Sequence, residues 1–213
     1  MTRTCSVRSR LTRSSAAALA LVLAGAPPGS AAEPARPRGF VGARVGGVAP
    51  LDGLSPFASL GVELGAILPV AHRRLAVAVA LDYTRPTASG SAMDPRVAGG
   101  RYTWSLVEQE LAVMPLVLFR PRPVARFSPY VGIGPRVLFL RSTVDDDGAP
   151  AFAATTEVST EVGVGVPLGA ELRLGPGRLT AELLLQYGAL DHVATGDSHT
   201  GAAGLSVGYR AFF

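Results

Sequence analysis

Hydrophobic and polar residues alternate along residues 157–174 with a period of two, which is the spacing of a β-strand and not of a helix. Apart from Thr160, the even positions are apolar, whereas the odd positions hold glycines, charged residues, Ser159 and Pro167. A soluble barrel or sandwich needs large apolar side chains on its inner face. Because one face of this segment offers glycines and charges instead, we expect its apolar face to look outward, at lipid.

Seven further segments alternate in the same way and are separated by turn residues, at about 38–48, 56–68, 74–85, 101–120, 128–141, 178–189 and 201–213. The connections between the eight segments are short at 69–73, 121–127 and 175–177 and longer and polar at 49–55, 86–100, 142–155 and 190–200. Three short turns and four long loops are what an up-and-down outer-membrane barrel of eight strands requires. The sequence therefore predicts an all-β fold, an eight-stranded antiparallel up-and-down transmembrane β-barrel.

Three prolines fall inside the proposed strands, at Pro115, Pro135 and Pro167. Each removes a backbone donor, and a closed barrel has no edge strand on which to place it. We expect β-bulges to absorb them, which leaves the register of the strands around them open.

The first 32 residues predict a cleaved export signal: a basic stretch, an apolar run over 16–26 and small residues before a cleavage site after Ala32. The mature barrel would then cover 33–213. Cys5 is the single cysteine and lies in the signal, so the mature chain forms no disulfide. Four of the twenty basic residues also lie there, and the remaining sixteen equal the sixteen acidic ones. That balance gives no support for a nucleic-acid partner.

The strand pattern turns eleven charged residues inward. Unpaired charges in so narrow a lumen would be very costly, so we expect a structural network of hydrogen-bonded ion pairs. Two interpretations stay open: a polar plug that closes the lumen, or a narrow path for ions or solutes lined by excess carboxylates. The acids are Glu63, Asp82, Glu108, Glu110, Glu161, Glu171 and Glu182, and the bases are Arg44, Arg136, Arg173 and Arg210.

Aromatic residues collect near the ends of the proposed strands and predict two girdles at the membrane interfaces. One girdle would hold Phe57, Tyr83, Tyr102, Trp104, Phe139 and Tyr187, and the other Phe40, Phe119, Phe127 and Phe213.

Two local motifs make the chain resemble the OmpA/OmpX-like outer-membrane β-barrel superfamily over 33–213. Residues 128–134, SPYVGIG, look like the Pro-Tyr-x-Gly-x-Gly opening of a strand, and residues 206–213, SVGYRAFF, are similar to the terminal signal of outer-membrane barrels. The resemblance implies a bacterial outer-membrane location, with lipid or lipopolysaccharide and the barrel-assembly machinery as partners. Ser206, Gly208 and Phe213 match the assembly signal.

We expect no catalytic, metal or cofactor site and no enzyme activity. The loop residues Asp191, His192, Asp197, Ser198 and His199 contain the side-chain types of a hydrolase, but they are better explained as a polar surface loop. The run 145–148 lacks the full ligand spacing of a calcium loop.

A structural or interaction protein with four surface loops is the favoured function, with a possible external ligand at loops 86–100 and 142–155. The alternatives are a narrow OmpW-like pore for small solutes, a lipid-modifying outer-membrane enzyme, and a soluble lipocalin-like binder with every strand facing the opposite way.

Overall fold

A computed structural model of the chain describes residues 38–51, 55–93, 95, 100–146, 155–188 and 201–213. The proposed signal over 1–32 and the whole of loop 190–200 lie outside this part of the chain. The signal peptide therefore stays a prediction, and the loop residues Asp191 to His199 receive no structural account.

The described residues form a closed antiparallel barrel. Apart from β3 and β4, strands adjacent in the chain pair with each other, and the first pairs with the last. Strands β3 and β4 both pair with β5 in one continuous register. Together, β3 and β4 make a single barrel strand, so the barrel has eight, as predicted. The strands are β1 (Gly39–Pro50), β2 (Phe57–Ile67), β3 (Leu75–Thr84), β4 (Thr87–Met93), β5 (Arg101–Phe119), β6 (Phe127–Asp146), β7 (Thr155–Leu174), β8 (Gly177–Gly188) and β9 (Ala202–Phe212).

The two ends of the barrel differ in their connections. At one, called the short-turn end here, tight connections join β2 to β3, β5 to β6 and β7 to β8 over 68–74, 120–126 and 175–176. The opposite end, the long-loop end, carries the other connections, of which the one from β8 to β9 over 189–201 is the longest. The first short turn contains a 3-10 segment, Ala71–Arg73, in which three consecutive residues other than glycine have φ values of 48, 55 and 63°. That left-handed backbone is strained for residues with a Cβ.

The polarity of the barrel is inside out, as the alternation predicts. Outward apolar side chains are exposed along the barrel strands and form an apolar outer wall. Examples are Leu64 at 60%, Ile133 at 59% and Leu168 at 39%. Inward positions on the same strands hold buried charges such as Glu63 and Arg136. The soluble lipocalin-like alternative, which needs the opposite facing, is wrong.

Two of the long connections are shorter than the sequence predicts. Thr87–Met93 of the proposed loop 86–100 is strand β4, and β6 continues to Asp146 into the proposed loop 142–155. Both extensions are rich in serine, threonine and other small or polar residues on both faces. They therefore lack the apolar alternation by which a strand in contact with lipid is recognised.

The strands pass through their prolines without a bulge, so the expectation of bulges is wrong. Val113 pairs with Val137 and Val117 with Ile133, a constant register that sets Pro115 directly opposite Pro135. The pairing is interrupted for three residues centred on the two prolines. A second interruption lies opposite Pro167, between the Val131–Leu168 and Gly134–Gly165 pairs. Placing two prolines opposite each other confines the loss of two donors to one point of the ladder.

Replacing both prolines, P115V with P135V, is expected to stabilise the barrel by about 1–3 kcal/mol, because two backbone donors return to a ladder that faces lipid. Urea unfolding of the refolded protein in lipid vesicles measures the change. Pro129→Val is the control, since the β6–β7 pairing runs through Pro129 without a gap. A double variant no more stable than this control would show that the interruption has another cause.

The girdle prediction is wrong for Phe40, which is 1% exposed and lies in the lumen. Its ring packs against Phe212, with 5.7 Å between the ring centroids. Tyr102 and Trp104 are half-buried and share the inward parity of Leu106 on β5, so they do not belong to a lipid-facing girdle either. The exposed rings of Phe119, Phe139 and Tyr187 do face outward.

Candidate functional site: the lumen and its ion-pair network

Arg210 is the centre of the network near the short-turn end. It comes from β9 and is 2% exposed. Its Nε and Nη2 donate to the two carboxylate oxygens of Glu63 on β2, and its Nη1 donates to Oε1 of Glu171 on β7 at 2.8 Å. The guanidinium also lies 4.5 Å from the ring centroid of Tyr130 and 5.3 Å from that of Phe40. Strands β9, β2, β7, β6 and β1 are thus tied together across the lumen by one side chain.

The middle of the lumen holds a second set of ion pairs. Arg44 donates to both oxygens of Asp82, at 2.7 and 2.9 Å through Nη2, and to Glu182 at 2.9 Å through Nη1. Arg136 donates to Asp82 at 2.8 Å from the opposite wall. The hydroxyl of Tyr130 donates to Glu182 at 2.7 Å. Each carboxylate therefore has at least two donors, which offsets the cost of removing it from water.

In the part of the lumen toward the long-loop end, carboxylates are more frequent than guanidiniums. The Thr84 hydroxyl donates to Glu110 at 3.0 Å, and Ser142 donates to Glu108 at 2.8 Å. Glu110 is joined to Arg136 by a longer ion pair of 3.8 Å, and its Oε1 has no hydrogen-bond partner in the described part of the chain.

These contacts form one connected network along the length of the lumen. Arg210 lies 3.8 Å from Glu182, which links the set near the short-turn end to the middle, and Arg136 links the middle to Glu110. Within the described residues, the ion pairs join five carboxylates to five guanidiniums: Glu63, Asp82, Glu110, Glu171 and Glu182 with Arg44, Arg120, Arg136, Arg178 and Arg210.

Of the predicted set, Glu108 accepts a hydrogen bond from Ser142 toward the long-loop end, and Arg173 and Glu161 lie apart from this network. Arg173 is exposed near the 175–176 turn, because it follows Glu171 where β7 reaches the rim of the barrel, and its inclusion in the lumen is wrong. Glu161 shares the inward face of β7 but is half-buried toward the long-loop end, and no ion pair joins it to another described residue.

Sequence reasoning missed two buried arginines of the network. Arg120 follows the last residue of β5, and its Nη2 donates to Glu171 at 2.7 Å. Arg178, at the start of β8, donates to the same oxygen at 3.2 Å and to the backbone carbonyl of Pro123 at 2.5 Å. Burial lowers the pKa of Arg120, an effect that Glu171 opposes. A basic residue that continues the inward parity of a strand into its turn is the sequence signal that could have found them.

Part of the lumen is apolar, which the charge pattern does not indicate. The inward face of β5 carries Met114, Leu116 and Leu118, and they pack with alanines of β3 and with Phe40. Small inward residues make room elsewhere: a Cβ on Gly61 would collide with the Asp82 carboxylate and the Arg44 side chain. The lumen is therefore filled by one polar and one apolar region.

The three residues of the proposed assembly signal lie on the closing strand and the residue after it. Ser206 and Gly208 of β9 pair with Gly46 and Arg44 of β1, and Phe213 is 67% exposed. The backbone N–H of Phe213 donates to the carbonyl of Gly39 at 3.0 Å.

The described residues contain no group of three His, Cys, Asp or Glu side chains placed to hold a metal ion. No helix among the described residues is long and apolar enough to cross a membrane.

Two bacterial proteins are among the solved structures to which the barrel is similar. One is Neisserial surface protein A, at 20% identity and a TM-score of 0.51 over 82% of this chain and 97% of that chain. The other is a major outer membrane protein of Thermus thermophilus, at 16% identity and a TM-score of 0.52 over 82% of this chain and 99% of that one. No family model and no curated protein sequence matches the chain. The likeness shows that the chain has the fold of small outer-membrane β-barrels.

Proposed function

We propose that the protein is a small barrel of the bacterial outer membrane with a closed polar lumen, a structural or interaction role and no enzyme activity. The observation that carries the proposal is the connected ion-pair network from Arg120 and Arg210 through Arg44 to Arg136 and Glu110. Its ion-paired carboxylates and guanidiniums are equal in number, and the two further inward acids, Glu108 and Glu161, lie toward the long-loop end. Pairing of the charges through the middle of the lumen favours a plug.

Outer-membrane lipid surrounds the wall in this proposal, and the barrel-assembly machinery would read the terminal strand that carries Ser206, Gly208 and Phe213. The short-turn end would face the periplasm and the long-loop end the exterior. Arg73 and Arg74, at the short-turn end, suit the surface of an anionic leaflet.

The exterior surface is where an interaction role would reside. A tilted strand needs about 9–11 residues to cross a bilayer, whereas β5, β6 and β7 have 19, 20 and 20 residues. With β4, they extend beyond the apolar wall as a polar sheet at the long-loop end. Its outward side includes Ser89, Ser91, Thr103 and Ser105, which line a shallow depression together with Trp104 and Asp145. We propose this sheet, with the adjoining parts of 86–100 and 142–155, as the surface for an external ligand or lipopolysaccharide.

Conductance of planar lipid bilayers tests the plug. The native barrel is expected to leave the bilayer silent, because the network and the apolar cluster fill the lumen. The double variant R44A/D82A removes one positive and one negative side chain from the middle of the lumen, and it is expected to conduct small ions. Arg141→Ala, which removes an outward exposed side chain of β6, is the control and should stay silent.

Steady conductance by the native barrel would overturn the plug and favour the narrow pore. A silent double variant that remains folded would show that the apolar cluster closes the lumen without help from the central ion pairs.

A further inference from the structure

The short-turn end contains a cavity of about 480 Å³ that the plug does not need. It lies where all three short connections meet, and its lining includes four arginines and a histidine: His72, Arg73, Arg120, Arg173 and Arg178. Among the described residues, no carboxylate lines it. The remaining lining is largely apolar or glycine, with Phe212 on the lumen side.

The carboxylate that binds two of the lining arginines is shared among several guanidiniums. Glu171 is 1% exposed and accepts hydrogen bonds from Arg120, Arg178 and Arg210. One negative charge therefore faces three guanidiniums, and Arg210 alone among them is also bound by Glu63. The short connections 68–74 and 120–126 contain five arginines and no acidic residue, so the surroundings add positive charge.

Arg120 carries unused donors at this site. Its side chain is 2% exposed, and its Nε and Nη1 have no hydrogen-bond partner in the described structure. Both Arg120 and Arg178 lie near the ring of Phe212, at 5.2 and 5.7 Å from its centroid, and both donate to the same oxygen of Glu171. Buried donors without an acceptor cost free energy, and two neighbouring guanidiniums favour an anion with several oxygens.

We propose that this cavity binds a phosphate group, either as free phosphate or as the headgroup of an anionic phospholipid. A phosphate supplies the acceptors that Arg120 lacks and the negative charge that Glu171 alone cannot provide. The left-handed turn at Ala71–Arg73 sets His72 and Arg73 against the cavity at a cost in backbone strain, and a bound anion would offset that strain. The site is independent of whether the lumen conducts.

Thermal unfolding in a neutral maltoside detergent tests for the site, with inorganic phosphate titrated against sodium chloride of equal ionic strength. Phosphate is expected to raise the unfolding midpoint of the native barrel, increasingly with concentration, because a ligand of the folded state stabilises it. Arg120→Gln and Arg173→Gln should reduce the shift. Arg122→Gln is the matched control, since it removes an exposed arginine that lies in the same turn as Arg120 but does not line the cavity.

Arg173→Gln keeps the test decisive if Arg120→Gln does not fold, because Arg173 is exposed and takes no part in the ion pairs of the lumen. Native mass spectrometry with phosphatidylglycerol distinguishes the sources. Retention of this lipid by the native barrel and by the Arg122 variant, but not by the Arg173 variant, identifies a headgroup site. A phosphate-dependent shift without lipid retention identifies a site for free phosphate. Equal shifts in all variants, or no shift and no retention, would overturn the proposal.

Discussion

Replacing Arg210 by alanine is expected to destabilise the barrel by about 3–5 kcal/mol, the cost of leaving a buried carboxylate without its partner. The side chain is nearly inaccessible to water and donates to Glu63 and Glu171 on two different strands. Its removal leaves Glu63 with no other ion pair among the described residues, whereas Glu171 keeps Arg120 and Arg178. The loss of stability therefore comes mainly from the unpaired carboxylate of Glu63.

Urea unfolding in lipid vesicles measures this loss, and two further variants locate its origin. Arg141→Ala removes an exposed arginine from the outer side of β6 and should change stability little. Adding Glu63→Gln to the Arg210 variant removes the stranded charge, so it should recover a substantial part of the lost stability. If Arg210→Ala unfolds like the Arg141 variant, the network does not hold the barrel together.

The sequence predicts the architecture well because lipid imposes a strict rule on every strand that crosses it. Outward positions must be apolar and the turns must break the pattern, so the eight segments and the inward parity of Glu63, Asp82 and Arg136 can be read directly. The rule weakens above the membrane. Strand β4 and the far end of β6 are polar on both faces, and for this reason the pattern predicts loops there.

Strand β5 is irregular in the sequence for a different physical reason. Residues 111–119, LAVMPLVLF, are apolar on both faces, because the outer face meets lipid while Met114, Leu116 and Leu118 pack inside the lumen. Alternation disappears wherever both environments are apolar. The alternation of apolar and polar positions alone could not indicate that part of this lumen is packed like the core of a soluble protein.

The partners within the charged network could not be derived from the pattern. Alternation shows that a side chain points inward, but which residues meet depends on the stagger of the strands around the barrel. Arg120 and Arg178 have the inward parity of their strands but are the terminal residues of the proposed segments, where parity does not tell whether a side chain points into the lumen or lies at the rim. Arg173 has the inward parity of β7 and nonetheless lies exposed at the rim.

An arginine placed on the lipid-facing side of β7 is expected to cost stability according to its depth. Leu168→Arg should destabilise the folded barrel by about 2–4 kcal/mol in a bilayer, whereas Val158→Arg should cost about 0–1 kcal/mol. Both residues face outward on one strand, but Leu168 pairs with Val131 and Leu183 in the apolar wall. Val158 is 73% exposed and pairs with Arg141, itself charged and exposed.

The two β7 variants introduce the same side chain at different depths. Comparing their urea unfolding in lipid vesicles therefore isolates the effect of the membrane on the free energy of unfolding. In mild detergent the difference should shrink, because a micelle adapts to a buried charge more easily than a bilayer does. Equal losses at both positions in vesicles would mean that the outward apolar face of β7 does not lie in lipid. In that case the plug and the polar sheet above the wall would both need another explanation.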